Sequence, residues 1–573
     1  MIWKTIKTLE DDQNRAFSGK LSSLHPVVLK LLKQRGFEKQ DDMESFLFPN
    51  YEKDISDPFL FRDMKKVIKR LKDAKNKNEK ILIFGDYDAD GITSSLTLKS
   101  ALEKAGFKTF IYIPHKEKDG YGLNFKALKN FSKKGISLVI TVDCGISNIQ
   151  EIEQAKKIKL DVIITDHHHI PPKIPKALAI INPKLQNSNY PFEELAGVGV
   201  AFKLAQAIYE TFLPDKKEQI KWLLDIVAIG TVADMVPLVR ENRTIVKFGL
   251  LVLSKTKRIG LQEIFKTGRI LIDENNFPTT QKISFQVAPR INSASRMSHA
   301  EKALFLLDEK DRATARIMAL ELESQNSQRQ KETQRIATDV EKIIKEEFKN
   351  KSFIFIAKKH FPMGILGLVA GRVSNKFNKP TAILKKDTEM SRGSFRSIPQ
   401  INIIKMIEQC SELLENYGGH SQAAGITVKN ENLEKFYNRM NSLIEKKLQG
   451  ADLTPEIKID TELNPADINF DLVDDLLKME PFGQGNKEPI FLLRNLIIQD
   501  LKWLGNGEKH LKLFLRPADG SPKIFEAIGF NLLDEFSELK IDDKINIIFN
   551  LSRDEWNGNK KIQMKIIDIK SCH

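Results

Sequence analysis

Short, uninterrupted apolar runs dominate the first half of the chain: ILIFG (81–85), FIYIP (110–114), LVITVD (138–143), VIITD (162–166) and ALAIIN (177–182). Stretches of helical character lie between most of them, at 92–104 and 148–158. A strand that is apolar at every position has no face left for water, so both faces of its sheet must be covered. Strands alternating with helices supply that cover and predict an α/β domain built on a parallel sheet. Ligands of such sheets bind beyond the carboxyl ends of the strands. Ahead of this region the first 50 residues read as a small helical lead-in. Met64, Val67, Ile68, Leu71 and Ala74 then recur at helical spacing, with the surrounding lysines on a solvated face.

The pattern changes twice more. Residues 300–350 contain neither Gly nor Pro and read as nearly continuous helix, a long connection between two lobes. A second, smaller α/β segment runs from SFIFIA (352–357) to about residue 449. The tail carries the β-rich runs LIIQDLKWL, KLFLRP, INIIFNL and IQMKIIDI, separated by turn signals such as Gly505-Asn506-Gly507 and Asn557-Gly558. A small β-barrel is expected there. The implied organisation is a lead-in at 1–50, a parallel-sheet domain at 51–300, a connecting helix at 301–350, a second α/β domain at 351–449 and a barrel at 450–573. A chain of 573 residues is too long for one core.

Composition narrows the function classes. With 41% hydrophobic and 29% charged residues the chain is of ordinary globular type. A net charge of +14 favours a polyanionic partner, nucleic acid among them. No apolar run reaches the roughly 18 residues of a membrane span. The N-terminus, MIWKTIKTLEDDQ, turns acidic before a signal core forms, so secretion is not expected and a cytoplasmic location is. Cys144, Cys410 and Cys572 are scattered and lack CxxC spacing, which fits a reducing compartment and argues against disulfides or a zinc knuckle. Cys144 reads as a small buried thiol.

The chemistry lies in four clusters. ILIFGDYDADG places Asp86, Asp88 and Asp90 just after a strand; LVITVDCG ends on Asp143; VIITDHHH ends on Asp166, His167, His168 and His169; and IVAIGTVADMVPL places Asp234 at the end of an apolar run. Crowded carboxylates repel, and each costs free energy when desolvated. Gathered at one sheet edge, they require a cation. Mixed Asp and His donors suit Mn²⁺, with Mg²⁺, Co²⁺ or Zn²⁺ as alternatives. Two ions about 3.5–4 Å apart would generate a hydroxide and clamp a phosphoryl group. Simpler readings fail. DYDADG begins like a calcium loop, but Thr97 stands where that loop needs Glu and a strand precedes it. Gly197 and Gly199 in AGVGVAF are too few for a phosphate loop. One Asp at a strand end is usually a helix cap, but four clusters are not. His169 is read as outside the ligand set.

The series GDYDADG, TVDCG, DHH and GTVADMVPL, in this order, resembles the DHH phosphoesterase superfamily. GYGLN (120–124), APRINSASRM (288–297), GSFRS (393–397), GGHSQAAG (418–425) and EPFGQGN (480–486) further resemble its RecJ family of bacterial single-strand-specific exonucleases, over nearly the whole chain. The resemblance implies a metal-dependent 5′-to-3′ exonuclease that hydrolyses single-stranded DNA to 5′-mononucleotides in repair and recombination. It implies two ions, Mn²⁺ or Mg²⁺, with Asp88, Asp90, Asp143, His167 and Asp234 as ligands and Asp143 as the bridge. Asp86 would ligate or orient, His168 would contact the scissile phosphate, and Asp166 would act from behind. The second lobe resembles the DHH-associated domain, so Ser394, Arg396, Gly419 and His420 would face the ions, with Arg290 and Arg296 also binding phosphate. A Gly-rich turn lets backbone N–H groups approach phosphate, and Arg grips it bidentately.

One departure concerns the 5′ end. Members often carry an Arg before GYGLN; here HKEKDGYG leaves Lys116, beside Tyr121, as the nearest cation. Lys is a point charge, so recognition of a 5′-phosphate is expected to be looser. The tail resembles an OB-fold, with Trp503, Phe514, Phe525 and Trp556 as stacking candidates that compete with core roles. The expected enzyme is a monomer whose barrel closes a ring too narrow for duplex, working beside a helicase and a single-strand-binding protein. The rivals are a small-substrate phosphoesterase, which would lack barrel and linking helix, and a non-enzymatic copy, which would have lost ligands.

Overall fold

The five apolar runs form one sheet whose neighbours are all parallel, in the order Lys108–Tyr112, Lys80–Gly85, Ile136–Val142, Asp161–Thr165, Ala179–Ile181. The computed structural model describes residues 2–6, 18–115, 119–120, 122–186, 188–450, 453–505, 509–556 and 559–572. One face of the sheet is covered by the helices Phe125–Lys133 and Ile149–Lys157, which share a core with Leu82, Phe84, Val139 and Ile164. Helix Ala89–Lys104 packs on three of the strands, and Gly197–Phe212 and Leu224–Ala233 pack against it. Register positions the chemistry. Gly85 pairs with Val142 and Val142 with Thr165, so the next residues, Asp86, Asp143 and Asp166, emerge side by side at the carboxyl edge.

The fourth cluster departs from the strand-end reading. Asp234 follows a helix, Leu224–Ala233, in which every residue from Leu224 to Val232 is buried. A helix buried all round carries no period by which to tell it from a strand. Asp234 caps its carboxyl end, its N–H donating to Gly230 O at 2.9 Å.

The stretch 300–350 is two helices, Glu301–Asp308 and the 32-residue Arg312–Ile343, the second roughly 48 Å long at 1.5 Å per residue. The sheet that follows is mixed, in the order Leu414–Gly419, Ala423–Lys429, Met390–Arg396, Thr381–Lys386, Ile354–Lys358, with only the last pair parallel. Its register sets Ala423 opposite Arg396 and Gly425 opposite Ser394, which brings GSFRS and GGHSQAAG onto adjacent strands.

Two compact units divide the chain: Asp57–Asp234 with Phe248–Leu453, and Met1–Ser56 with Met235–Lys247 and Thr454–His573. The second unit holds the barrel, whose strand Phe491–Leu504 pairs with both His510–Pro517 and Lys544–Trp556 and so closes the sheet. The N-terminal helices Pro26–Gln34 and Gln40–Leu47 bury Val28, Leu31 and Met43 in the same core as Leu472, Phe491, Leu513 and Phe549 of the tail. The lead-in is thus part of the barrel's core. Phe525 is buried there and Trp503 packs against it; Phe514 is half-buried with the ammonium groups of Lys502 and Lys512 over its ring. The Trp556 side chain lies outside the described residues.

Arg243 explains how this unit holds its pieces together. Its fully buried guanidinium donates to the carbonyls of Phe46, Lys478, Met479, Glu480 and Pro481 at 2.7–3.4 Å and lies 3.9 Å from the Phe46 ring. EPFGQGN therefore has a structural role: its backbone receives Arg243, and Gln484 O accepts from Leu238 N at 2.7 Å. Burial, with Arg35 nearby, pushes Arg243 down to about 9. Arg243→Met strands these carbonyls and is expected to cost about 3–5 kcal/mol. Denaturant unfolding checks this; a loss under about 1 kcal/mol would contradict it.

Candidate metal centre

Asp88 and Asp90 of the first cluster each have a local reason for their place. Asp88 N-caps helix Ala89–Lys104, its Oδ1 accepting from Asp90 N at 2.9 Å and Gly91 N at 3.0 Å. That fixes the carboxylate and leaves Oδ2 for another partner. Asp90, 1% exposed, accepts from Gly197 N at 2.7 Å and Val198 N at 2.8 Å at the start of the next helix. Helix N-termini favour anions. Asp143 has φ +60°, a conformation that Asp tolerates better than most residues, and its N–H donates to Thr165 O at 3.0 Å. Asp166 is saturated: it accepts from the N–H groups of His167, His168 and Ile146 and holds His168 Nδ1 at 2.7 Å. That contact fixes the orientation of the His168 ring.

The donors converge. Asp86, Asp88 and Asp143 offer ligand atoms within 4.8 Å of one another; so do Asp90, His167 and Asp234, and so do Asp143, His167 and His168, the histidines through ring nitrogens. The first two groups share no member, and Asp143 stands between them, its Oδ1 3.3 Å from His167 Nε2, while Asp234 Oδ2 is 3.6 Å from that nitrogen. His167 is 8% exposed, and the Leu195 backbone approaches its ring as a hydrogen-bond partner, without ideal geometry. Two sites sharing Asp143 and filled by divalent cations would meet both needs: charge for the acids and a Lewis acid for the imidazole.

Electrostatics supports that fit. Burial and the charge of Asp88 push Asp90 up to about 7. Burial and the neighbouring acids hold Asp143 and Asp234 well above the carboxylate range. Burial and the His168 cation press His167 down to about 3, so it is neutral and able to ligate. Burial also opposes charge on Asp166 and His168, but their mutual hydrogen bond wins, leaving the acid low and the imidazole high.

Without metal, carboxylates with raised folded pKa values cost stability as pH rises from about 4 toward about 7. Neutral His167 works the other way below about pH 6.5, but one imidazole is outweighed by three carboxylates. Cations need the unprotonated acids. The rise in melting temperature caused by Mn²⁺ is therefore expected to be larger near pH 8 than near pH 5.5. Scanning fluorimetry tests this, and equal shifts at both would contradict it.

Helix Ala288–Met297 links this cluster to the mixed sheet. Asn292 Oδ1 accepts from Ala89 N at 2.8 Å, and Arg296 Nη1 donates to Gly364 O at 3.2 Å. Arg296 lies within electrostatic reach of both Asp88 and Arg396. Arg396 donates to Ser394 Oγ at 2.9 Å and rests on Gly367, where a Cβ would come 2.9 Å from Nη2. His420 follows Gly419, which has φ +147°, and its exposed ring stands 6.1 Å from that of His169. His169 thus meets the second lobe. Arg290 differs from these: its guanidinium is engaged by Glu323 at 2.5 Å, which makes it a brace between helices rather than an open phosphate contact. Lys116 and Tyr121 lie outside the described residues.

Several supporting residues escaped the sequence reading. Gly197, dismissed as a phosphate loop, is needed because a Cβ there would meet Asp143 Oδ1 at 2.4 Å. The spacing AGVGVAF, which opens the apolar helix Gly197–Phe212, was the available signal. Lys184 Nζ and Asn182 Nδ2 hold the carbonyls of His167 and His168 at 2.8 and 3.0 Å, and the run INPK after the last strand marked them.

Family models match three stretches: the DHH family N-terminal domain at 80–231, the DHHA1 domain at 350–446 and the RecJ OB domain at 459–568. The single-stranded-DNA-specific exonuclease RecJ of Bacillus subtilis is 36% identical over 99% of this chain and 70% of its own length. The chain belongs to the RecJ family. RecJ of Escherichia coli is 28% identical, with 96% of each chain covered. RecJ of Thermus thermophilus, solved in complex with Mn²⁺, superposes with a TM-score of 0.83 at 25% identity over all of this chain and 80% of that one. The fold expected from the apolar runs, two α/β domains and an OB-like barrel, is that of the RecJ structure.

Proposed function

We propose that this RecJ-family chain hydrolyses single-stranded DNA from its 5′ end to 5′-mononucleotides, using two Mn²⁺ or Mg²⁺ ions. The observation that carries the reading is the pair of separate donor groups joined where Asp143 meets His167, with Arg296 within reach of Asp88 and Arg396 within reach of Arg296. Asp86, Asp88 and Asp143 would hold one ion; Asp90, His167, Asp234 and Asp143 the other. Bound there, the ions would supply charge to neutralise the phosphoryl oxygens and activate water for in-line attack. His168, whose protonated form is favoured by its hydrogen bond to Asp166, would donate to the scissile phosphate. Arg296, Arg396 and His420 would bind its remaining oxygens.

In this reading residues 51–300 carry the ions, 301–350 connect, 351–449 bring Arg396 and His420, 450–573 bind the strand, and 1–50 complete the barrel's core. Family resemblance supports a cytoplasmic monomer acting in repair and recombination beside a helicase and a single-strand-binding protein. No helix among the described residues is long and apolar enough to cross a membrane.

The test is degradation of end-labelled DNA with each metal in turn. Mn²⁺ should give mononucleotides from the 5′ end of single strands, with chelation stopping the reaction. Equal degradation of blunt duplex, or product from the 3′ end, would overturn the proposal.

A further inference from the structure

Arginines crowd beside the acid cluster without carboxylates of their own. Arg296 stands nearest, within reach of Asp88, and Arg396 and Arg329 lie within electrostatic reach of Arg296; Arg329, on helix Arg312–Ile343, is one that the sequence did not single out. Ser298, just past the helix that carries Arg296, lies 3.4 Å from Gln325 Oε1, and Arg329 follows Gln325 by one turn on the same face. Its Nη2 donates to the buried Asn326 Oδ1 at 2.9 Å, while its Nε is buried with no hydrogen-bond partner. Burial and the charges of Arg296 and Arg290 hold its pKa below the ordinary value. Next to it opens a groove of about 630 Å³ lined by Arg329, Lys331, Arg335 and Arg372. Arg335 shares its charge with Glu332 and Asp339, whereas exposed Arg372 is held by the neutral Gln334 at 2.5 Å.

A half-buried guanidinium with an unpartnered nitrogen among like charges costs free energy. A phosphodiester in the groove would give the cluster a countercharge and the groove-lining face of the guanidinium an acceptor, in the planar geometry that Arg matches. We propose that Arg329, with Arg372, binds a backbone phosphate of the single strand away from the one being cleaved, extending the track that starts at Arg296 and Arg396. This rests on the function proposed above and deepens it by placing more of the strand.

The test uses the full chain with Mn²⁺ and compares a long oligonucleotide with a dinucleotide. Arg329→Gln should raise KM on the long strand roughly tenfold, as expected for one lost charged contact, with kcat nearly constant. The loss of kcat/KM should be about tenfold greater on the long strand than on the dinucleotide. The slope of log kcat/KM against log salt should flatten by about 0.7, the share of one phosphate on a single strand. Arg329→Lys should restore most of the slope. Arg372→Gln, at an exposed position, gives the same reading should Arg329→Gln misfold. An unchanged KM and slope in both variants, or equal losses on both substrates without rescue by Lys, would overturn the inference. Wild-type chain that fails to cleave single strands would instead overturn the function itself.

Discussion

Asp143→Asn is expected to lower hydrolysis of single-stranded DNA on the order of 10³-fold or more, with the fold intact. Asp143 belongs to two of the three donor groups and stands between the sites, so its loss weakens both. Asn suits the test better than Ala. It keeps the volume and tolerates φ +60°, whereas Ala at that φ would add strain of about 1 kcal/mol. Asn also removes a carboxylate that burial and its neighbours hold well above its usual range. The metal-free variant should therefore melt higher than wild type near pH 8, and Mn²⁺ should reverse that order. Steady-state kinetics and melting curves with and without Mn²⁺ check both halves. Wild-type turnover, or a variant that melts lower without metal, would contradict the electrostatic account.

Gly197→Ala is the second large effect, although the residue carries no chemistry. A Cβ there would sit 2.4 Å from Asp143 Oδ1 and 2.6 Å from its Cγ, closer than van der Waals contact allows. Asp143 is held by its strand and by its bond to Thr165 O, so it cannot simply retreat. If helix Gly197–Phe212 moves instead, the N–H groups of Gly197 and Val198 leave Asp90. Either way one ligand is misplaced by a good fraction of an ångström, which is expected to cost about 10²-fold in kcat. Gly199→Ala is the control: the nearest atoms to its Cβ belong to the Leu195 side chain, at 3.3 Å, and activity should stay within about threefold of wild type. Equal kinetics for the two variants would show that close packing at Gly197 does not position Asp143.

The parallel sheet was legible because its strands are largely apolar and three of the five end on acids, and the register that aligns Gly85, Val142 and Thr165 then puts those acids together. Local pattern could not show that the run before Asp234 is helical, since full burial erases the period. Nor could it show that Leu21, Val28 and Met43 share a core with a tail more than 400 residues away, because such contacts leave no local trace. At the site, the acids and histidines announced themselves by type and spacing. The residues that hold them did not. Gly197 acts through its missing side chain, Asn292 through one bond to Ala89 N, and Arg329 through a burial that its polar helix conceals. Arg290 shows the converse: a motif arginine that the structure engages with Glu323.

The central claim is that two cations balance a nest of acids around Asp143. Titrating the metal-free chain with Mn²⁺ by calorimetry measures this without reference to substrate. The account predicts two ions bound per chain near pH 8, with protons released on binding, and a stoichiometry below two in Asp143→Asn. No bound Mn²⁺, or two ions retained with unchanged affinity after that substitution, would contradict it.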